Sequence, residues 1–140
     1  MNDVKAFLDT NLFVYLYSDT DASKKAYVTQ VINKYERFVS TQVLNEFCNV
    51  CVRKLNMPIP VVKKAIMEIC EICNLVVVDD ATVLSALDNH EKYGYSFYDC
   101  LIIASALESG CKYLLSEDMA DGQIIDGSLT IKNIFAEKTL

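Results

Sequence analysis

Five short segments rich in apolar residues, at 4–8, 37–40, 75–78, 113–115 and 129–131, alternate with segments long enough to form helices. This alternation constrains the fold more than any other feature of the chain. A short apolar run without polar alternation reads as a strand buried on both faces. The segments between carry helical spacing. Residues 41–55 place Leu44, Phe47, Cys48, Cys51, Val52 and Leu55 in steps of three and four, behind Thr41 as the expected cap. Residues 61–73 do the same with Val62, Ala65, Ile66, Ile69 and Cys70, after a loop marked by Pro58 and Pro60. Further helices are expected over 21–35 behind Asp21, over 81–92 ahead of Gly94, and from Ser96 to a left-handed stop at Gly110. Strands alternating with helices predict a three-layer α/β/α domain whose sheet is mainly parallel and roughly five-stranded.

Composition narrows the class. A chain of 140 residues, 52% apolar and 23% charged, can bury one core and is neither disordered nor of low complexity. No run approaches the ~18 apolar residues of a membrane-spanning helix, and no basic-then-apolar leader opens the sequence. A cytoplasmic protein with no membrane partner is expected. The net charge of −6 argues against a protein that coats nucleic acid with excess Lys and Arg. Two bound divalent cations would bring that charge to about −2, so the placement of the acids matters more than their number.

In open parallel sheets, functional groups gather beyond the C-terminal ends of the strands. Four acids fall in such places: Asp9, Glu46, Asp99 and Asp118. Each has an ordinary role when taken alone. Asp9 suits a helix N-cap or Asx-turn, Glu46 a solvated face with Asn49 and Arg53, Asp99 a capping box with Ser96, and Asp118 a loop. Taken as a set, they stand at strand ends or in the first turns of the following helices, and the expected fold can bring them to one sheet edge. Clustered carboxylates repel one another and hold their protons, a cost that divalent cations remove. Carboxylate oxygens suit Mg²⁺ or Mn²⁺, and two such ions ~3.5–4 Å apart support phosphodiester cleavage.

Four segments carry a family resemblance: FLDTNLFVY (7–15), STQVLNEF (40–47), SFYDCLIIASALESGCKYLLSEDMADGQ (96–123) and GSLTIKNIF (127–135). In this order they resemble PIN-domain proteins, and most of all the VapC-type toxins of toxin–antitoxin pairs. The resemblance implies one PIN-like domain over 1–140, with the family's acidic tetrad at Asp9, Glu46, Asp99 and Asp118 as catalytic residues and metal ligands. It implies that Asn11 orients the first acid, that Ser116 supports the site through its hydroxyl, and that Asp121 is an additional metal or supporting acid. The implied activity is endoribonuclease cleavage of RNA by metal-activated water, with two Mg²⁺ or Mn²⁺ ions per site. The implied partners are a cognate antitoxin and a second copy of the chain. A PIN nuclease of RNA processing or decay is the alternative within the family. The match over 56–95 is in outline only, and the single histidine, His90, lies outside every motif.

Two further features have readings of their own. Cys48-x₂-Cys51-x₁₈-Cys70-x₂-Cys73 has the spacing of a zinc site, which a non-catalytic interaction module would use. Both pairs sit inside apolar helical stripes without an adjoining glycine, where buried cysteine acts as a small hydrophobe. Tyr93, Tyr95, Phe97 and Tyr98 lie just ahead of Asp99 and serve either as packing or as surfaces for stacking bases.

Overall fold

The computed structural model describes residues 3–138. Strand β1 (Val4–Leu8) lies inside a six-stranded sheet with β2 (Tyr35–Ser40), β3 (Asn74–Val76), β4 (Tyr113–Leu115), β5 (Ile124–Ile125) and β6 (Leu129–Lys132). The spatial order is β3-β2-β1-β4-β6-β5, and every neighbouring pair is parallel except β5 with β6. Around it pack α1 (Thr10–Tyr17), α2 (Ala22–Ile32), α3 (Thr41–Asn49), α4 (Ile59–Ile72), α5 (Asp80–Tyr93), α6 (Phe97–Glu108) and α7 (Ile134–Lys138). Ala6, Phe7 and Leu8 are consecutive and fully buried, which requires cover on both faces of the sheet. The three-layer, mainly parallel architecture expected from the strand and helix alternation is the one observed.

The strand order turns at β1. From there the chain steps outward through β2 and β3, then returns to build β4 and β6 on the other side. Adjacent loops leave the C-terminal ends of β1 and β4 in opposite directions, opening the crevice in which such sheets hold their ligands. The register Phe7↔Leu114 and Leu8↔Leu115 brings these two strand ends level.

Several elements depart from the sequence reading, each for a local reason. Helix α1 has only the Asp9 cap as its signal, in a stretch of aromatic and β-branched residues; it forms because Leu12 and Phe13 are buried and Asp9 caps it. Ser40, not Thr41, caps α3 by accepting from the Val43 N–H at 3.3 Å. The Thr41 hydroxyl instead accepts from the Val78 N–H at 3.1 Å, which ties α3 to the chain leaving β3. Beyond Asn49 the expected single helix continues as a π-helical turn over Val50–Lys54. The third strand was expected to be buried, yet β3 is the sheet edge, with Leu75 43% and Val77 65% exposed. An apolar β-branched run has the same composition whether or not a layer covers it. The sixth strand, β5, has two residues, too few for a pattern.

Helix α6 is buried from Cys100 through Ala106, so it is a central packing element against α5 and α3. Gly94 closes α5 at φ +78°, a left-handed position, with its N–H donating to the His90 carbonyl at 3.0 Å. Among the described residues, no helix is long and apolar enough to cross a membrane.

Layer placement is tested by truncation. Phe7→Ala, on the doubly covered strand, should lose about 3–5 kcal/mol in urea denaturation. Val77→Ala, beside the uncovered edge, should stay within about 0.5 kcal/mol of wild type. A loss above about 2 kcal/mol for Val77→Ala would contradict the edge position.

Candidate active site

Asp9 follows the last residue of β1, and its N–H donates to the Leu115 carbonyl at 3.0 Å, joining the ends of β1 and β4. Its carboxylate is 6% exposed. Oδ1 accepts from the Thr10 N–H at 2.7 Å as the N-cap of α1, and Oδ2 accepts from the Ser116 hydroxyl at 2.8 Å. These bonds favour the ionised form, but burial outweighs them. The charges of Asp99 and Asp118 push the same way, and the Asp9 carboxyl is pushed up to about 6.

Glu46 sits one turn into α3 and is half-buried. Burial, followed by the charges of Asp9 and Asp99, raises its carboxyl to about 7, against the pull of a 3.2 Å hydrogen bond donated by Gln42. Asp99 lies in the first turn of α6, where Ser96 caps the helix by accepting from the Asp99 N–H at 3.2 Å. Burial and the charge of Asp118 raise its carboxyl too. Asp118 stands two residues beyond Ser116. Its N–H donates to the Ser116 hydroxyl at 3.3 Å, and its Oδ2 accepts from Asn11 at 2.7 Å. The charges that bear on these acids come from within the set: Asp99 and Asp118 on Asp9, Asp9 and Asp99 on Glu46, and Asp118 on Asp99.

The supporting residues fall partly where the resemblance implied. Ser116 touches both Asp9 and Asp118. Asn11 holds Asp118 rather than the first acid, because α1 carries its side chain toward the β4 end. Asp121 Oδ1 accepts from the Asn133 N–H at 2.8 Å. Glu117 turns away and is held by the Tyr15 hydroxyl at 2.6 Å and by the Lys24 ammonium. That pairing removes Lys24 from the cations free for phosphate. Arg37 is committed likewise, to the carbonyls of Ile72 and Ile32. Gln42 was not singled out from the sequence, although its place four residues before Glu46 on a helix was a readable signal.

A family model for the PIN domain matches residues 6–120. The chain belongs to the PIN-domain family. No curated protein matches it in sequence. Among solved structures, VapC20 of Mycobacterium tuberculosis, described as a sarcin–ricin loop cleaving toxin, has a TM-score of 0.66 at 19% identity, covering 81% of this chain and 92% of its own. A toxin–antitoxin complex from Klebsiella pneumoniae gives 0.70 at 17% identity, over 93% and 98% of the two chains. VapBC2 of Rickettsia felis, bound to a fragment of its promoter DNA, gives 0.64 at 15% identity, over 93% and 100%. Identities this low speak for the shared fold.

In this PIN domain the cysteines do not form the zinc cluster their spacing allowed. Cys51 and Cys73 are buried, Cys48 is half-buried, and Cys70, off the Val62–Ala65–Ile69–Cys73 stripe, is exposed rather than in the core. Burial raises the Cys48 and Cys51 thiols and pushes Cys73 up to about 11, against the thiolate a metal needs. Among the described residues, no three or more His, Cys, Asp or Glu side chains are gathered as a metal-holding group. The acidic set offers oxygen donors only. Mg²⁺ accepts one or two carboxylates and keeps several waters, so a donor set of this chemistry fits it.

The raised carboxyls make a signed prediction. Asp9 and Glu46 hold protons in the native state at a pH where their unfolded counterparts, near 3.8 and 4.5, have lost them. Their contribution is full below the unfolded values and is lost as pH rises through about 6 and about 7. For Asp9 alone the loss is about 3 kcal/mol. Asp79 and Asp126, whose carboxyls are lowered, stay ionised across that window. In EDTA, the urea midpoint should fall between pH 5 and 7.5, and Glu46→Gln should flatten the fall. A midpoint that rises over this range would contradict the assignment.

Proposed function

We propose that this PIN domain is an endoribonuclease that hydrolyses RNA phosphodiester bonds using Mg²⁺ or Mn²⁺ held by Asp9, Glu46, Asp99 and Asp118. The observation that carries the reading is the electrostatic coupling of these carboxylates at the topological switch of the sheet. Membership of the PIN family supports it. When bound, a pair of divalent cations activates water and stabilises the departing oxygen of the scissile bond.

The chain's own residues set the stage for that chemistry. Ser116 and the Thr10 N–H fix both oxygens of Asp9 in the crevice. Asn11 takes one oxygen of Asp118 and Gln42 one oxygen of Glu46, each leaving the other for a ligand. The N-terminus of α6 brings Asp99 to the same crevice with its backbone satisfied by Ser96. Asp121 acts as a brace for the segment after β6 rather than as a ligand. His90 is exposed, and its Nδ1 is engaged by the Tyr95 carbonyl.

The biological reading we favour is a toxin restrained by a cognate antitoxin. The likeness in fold to toxin–antitoxin complexes supports it. Exposed Met67 on α4 and Leu84 and Leu87 on α5 offer apolar surface to such a partner or to a second copy. VapC20 is described as cleaving the sarcin–ricin loop, so structured RNA is the first substrate class to try.

Purified wild type should cut a structured RNA pool in Mg²⁺ or Mn²⁺ and not in EDTA. Asp99→Asn should lower the rate by roughly a hundredfold or more, by removing one carboxylate from metal-assisted chemistry. The same variant should melt no lower than wild type in EDTA, because a like charge has gone. Full-rate cutting by Asp99→Asn would overturn the site.

A further inference from the structure

Beside the acidic crevice an open groove of about 500 Å³ runs between α3 and the first turn of α6, lined by Gln42, Asn45, Glu46, Asn49, Val50 and Tyr98. Its volume is that of a small-molecule site. Glu46 belongs to both the groove and the acidic set, so the two are continuous.

The lining has a distinct chemistry. It contains no Lys or Arg, so a phosphate is a poor occupant. Asn45 and Asn49 stand one turn apart on the exposed face of α3, and no hydrogen bond engages either side chain among the described residues. Each amide offers a donor pair and an acceptor, the fork that reads the edge of a neutral planar ring. Tyr98 supplies the platform. Tyr98 is 61% exposed, and its ring meets that of Phe97 edge-on with centroids 5.9 Å apart.

The neighbouring aromatics are occupied in a way that Tyr98 is not. The Tyr93 hydroxyl donates to Asp126 Oδ1 at 2.7 Å and accepts from the Asp126 N–H at 2.8 Å. The Tyr95 hydroxyl donates to Gln123 and accepts from the Ala120 N–H at 3.1 Å. Phe97 is half-buried against α5 and α6 packing. Of the four aromatics ahead of Asp99, the structure leaves one ring open, and it stands at the groove.

We infer that this groove binds an unpaired nucleobase of the RNA substrate, stacked on Tyr98 and read at its edge by Asn45 and Asn49. The inference rests on the nuclease reading above and names the specificity site of that same crevice. A base stacked here lies flat against a side chain, which a base inside a duplex cannot do, so the substrate presents a looped-out or single-stranded nucleotide next to the scissile bond.

The chain contains no tryptophan, so Tyr98→Trp introduces a single fluorophore at the platform. In EDTA, where cleavage is blocked, short single-stranded homopolymer RNAs of A, U and C should quench it, and a fully paired RNA duplex should not. By anisotropy of the labelled homopolymers, Tyr98→Ala should weaken the tightest binder roughly tenfold or more, while Tyr98→Phe stays within about threefold of wild type. Asn45→Ala and Asn49→Ala should compress the differences among the homopolymers. An unquenched tryptophan, or Tyr98→Ala binding as tightly as wild type, would overturn the groove. The two proposals fail separately. Quenching with no cleavage in Mg²⁺ or Mn²⁺ would remove the nuclease reading and keep the groove. Cleavage that Tyr98→Ala leaves unchanged in rate, affinity and base preference would do the reverse.

Discussion

A nearly buried carboxylate at the meeting of two strands is the constraint on which the rest of the molecule turns. Asp9 ends β1, bonds through its N–H to the Leu115 carbonyl at the end of β4, and caps α1. Burying a charge there is unfavourable. The Ser116 hydroxyl, the Thr10 N–H and the N-terminal dipole of α1 offset only part of the cost, so the carboxyl remains raised to about 6. Removing Asp9 would loosen the start of a helix and the junction of two strands as well as alter the crevice. Fold and site share one residue.

The surrounding contacts sort acids into those that face the crevice and those that do not. Ser116, Glu117 and Asp118 are consecutive where the chain bends away from β4, yet their side chains go to different partners. Glu117 is met there by Lys24, which also lies over the rings of Tyr15 and Phe135. Its charge is thereby neutralised locally and does not add to the repulsion among the four coupled acids. Tyr93 and Tyr95 then pin the chain between β4 and β6 from the other side. The loop bearing Asp118 is held at both ends by side chains from outside it.

Much of this was legible in the sequence. Short apolar runs closed by acids told of parallel strands and of where their ends would lie, and Val4–Leu8 and Tyr113–Leu115 stand where the pattern put them. Edge position was not legible, because Leu75 is apolar and Val76 and Val77 are β-branched for reasons of strand geometry, whatever covers them. Nor was α1, whose helicity comes from burial and a cap rather than from propensity. The acids were legible as residues at strand ends and in the first turns of the helices that follow. Their individual partners were not: which acid Asn11 grips, and that Asp121 serves a backbone N–H near α7, depend on tertiary placement that no spacing encodes. The CxxC pairs were ambiguous for the same reason, and helix phase separates Cys70 from Cys73.

The central claim is that Asp9, Glu46, Asp99 and Asp118 form one electrostatic unit, and a ¹³C-carboxyl NMR titration of the metal-free protein tests it directly. Asp9 and Glu46 should titrate near 6 and 7 in the wild type, and both midpoints should fall in Asp99→Asn, because that variant removes a charge each of them senses. Midpoints in the ordinary carboxylate range, or raised midpoints that Asp99→Asn leaves unmoved, would contradict the unit and with it the site.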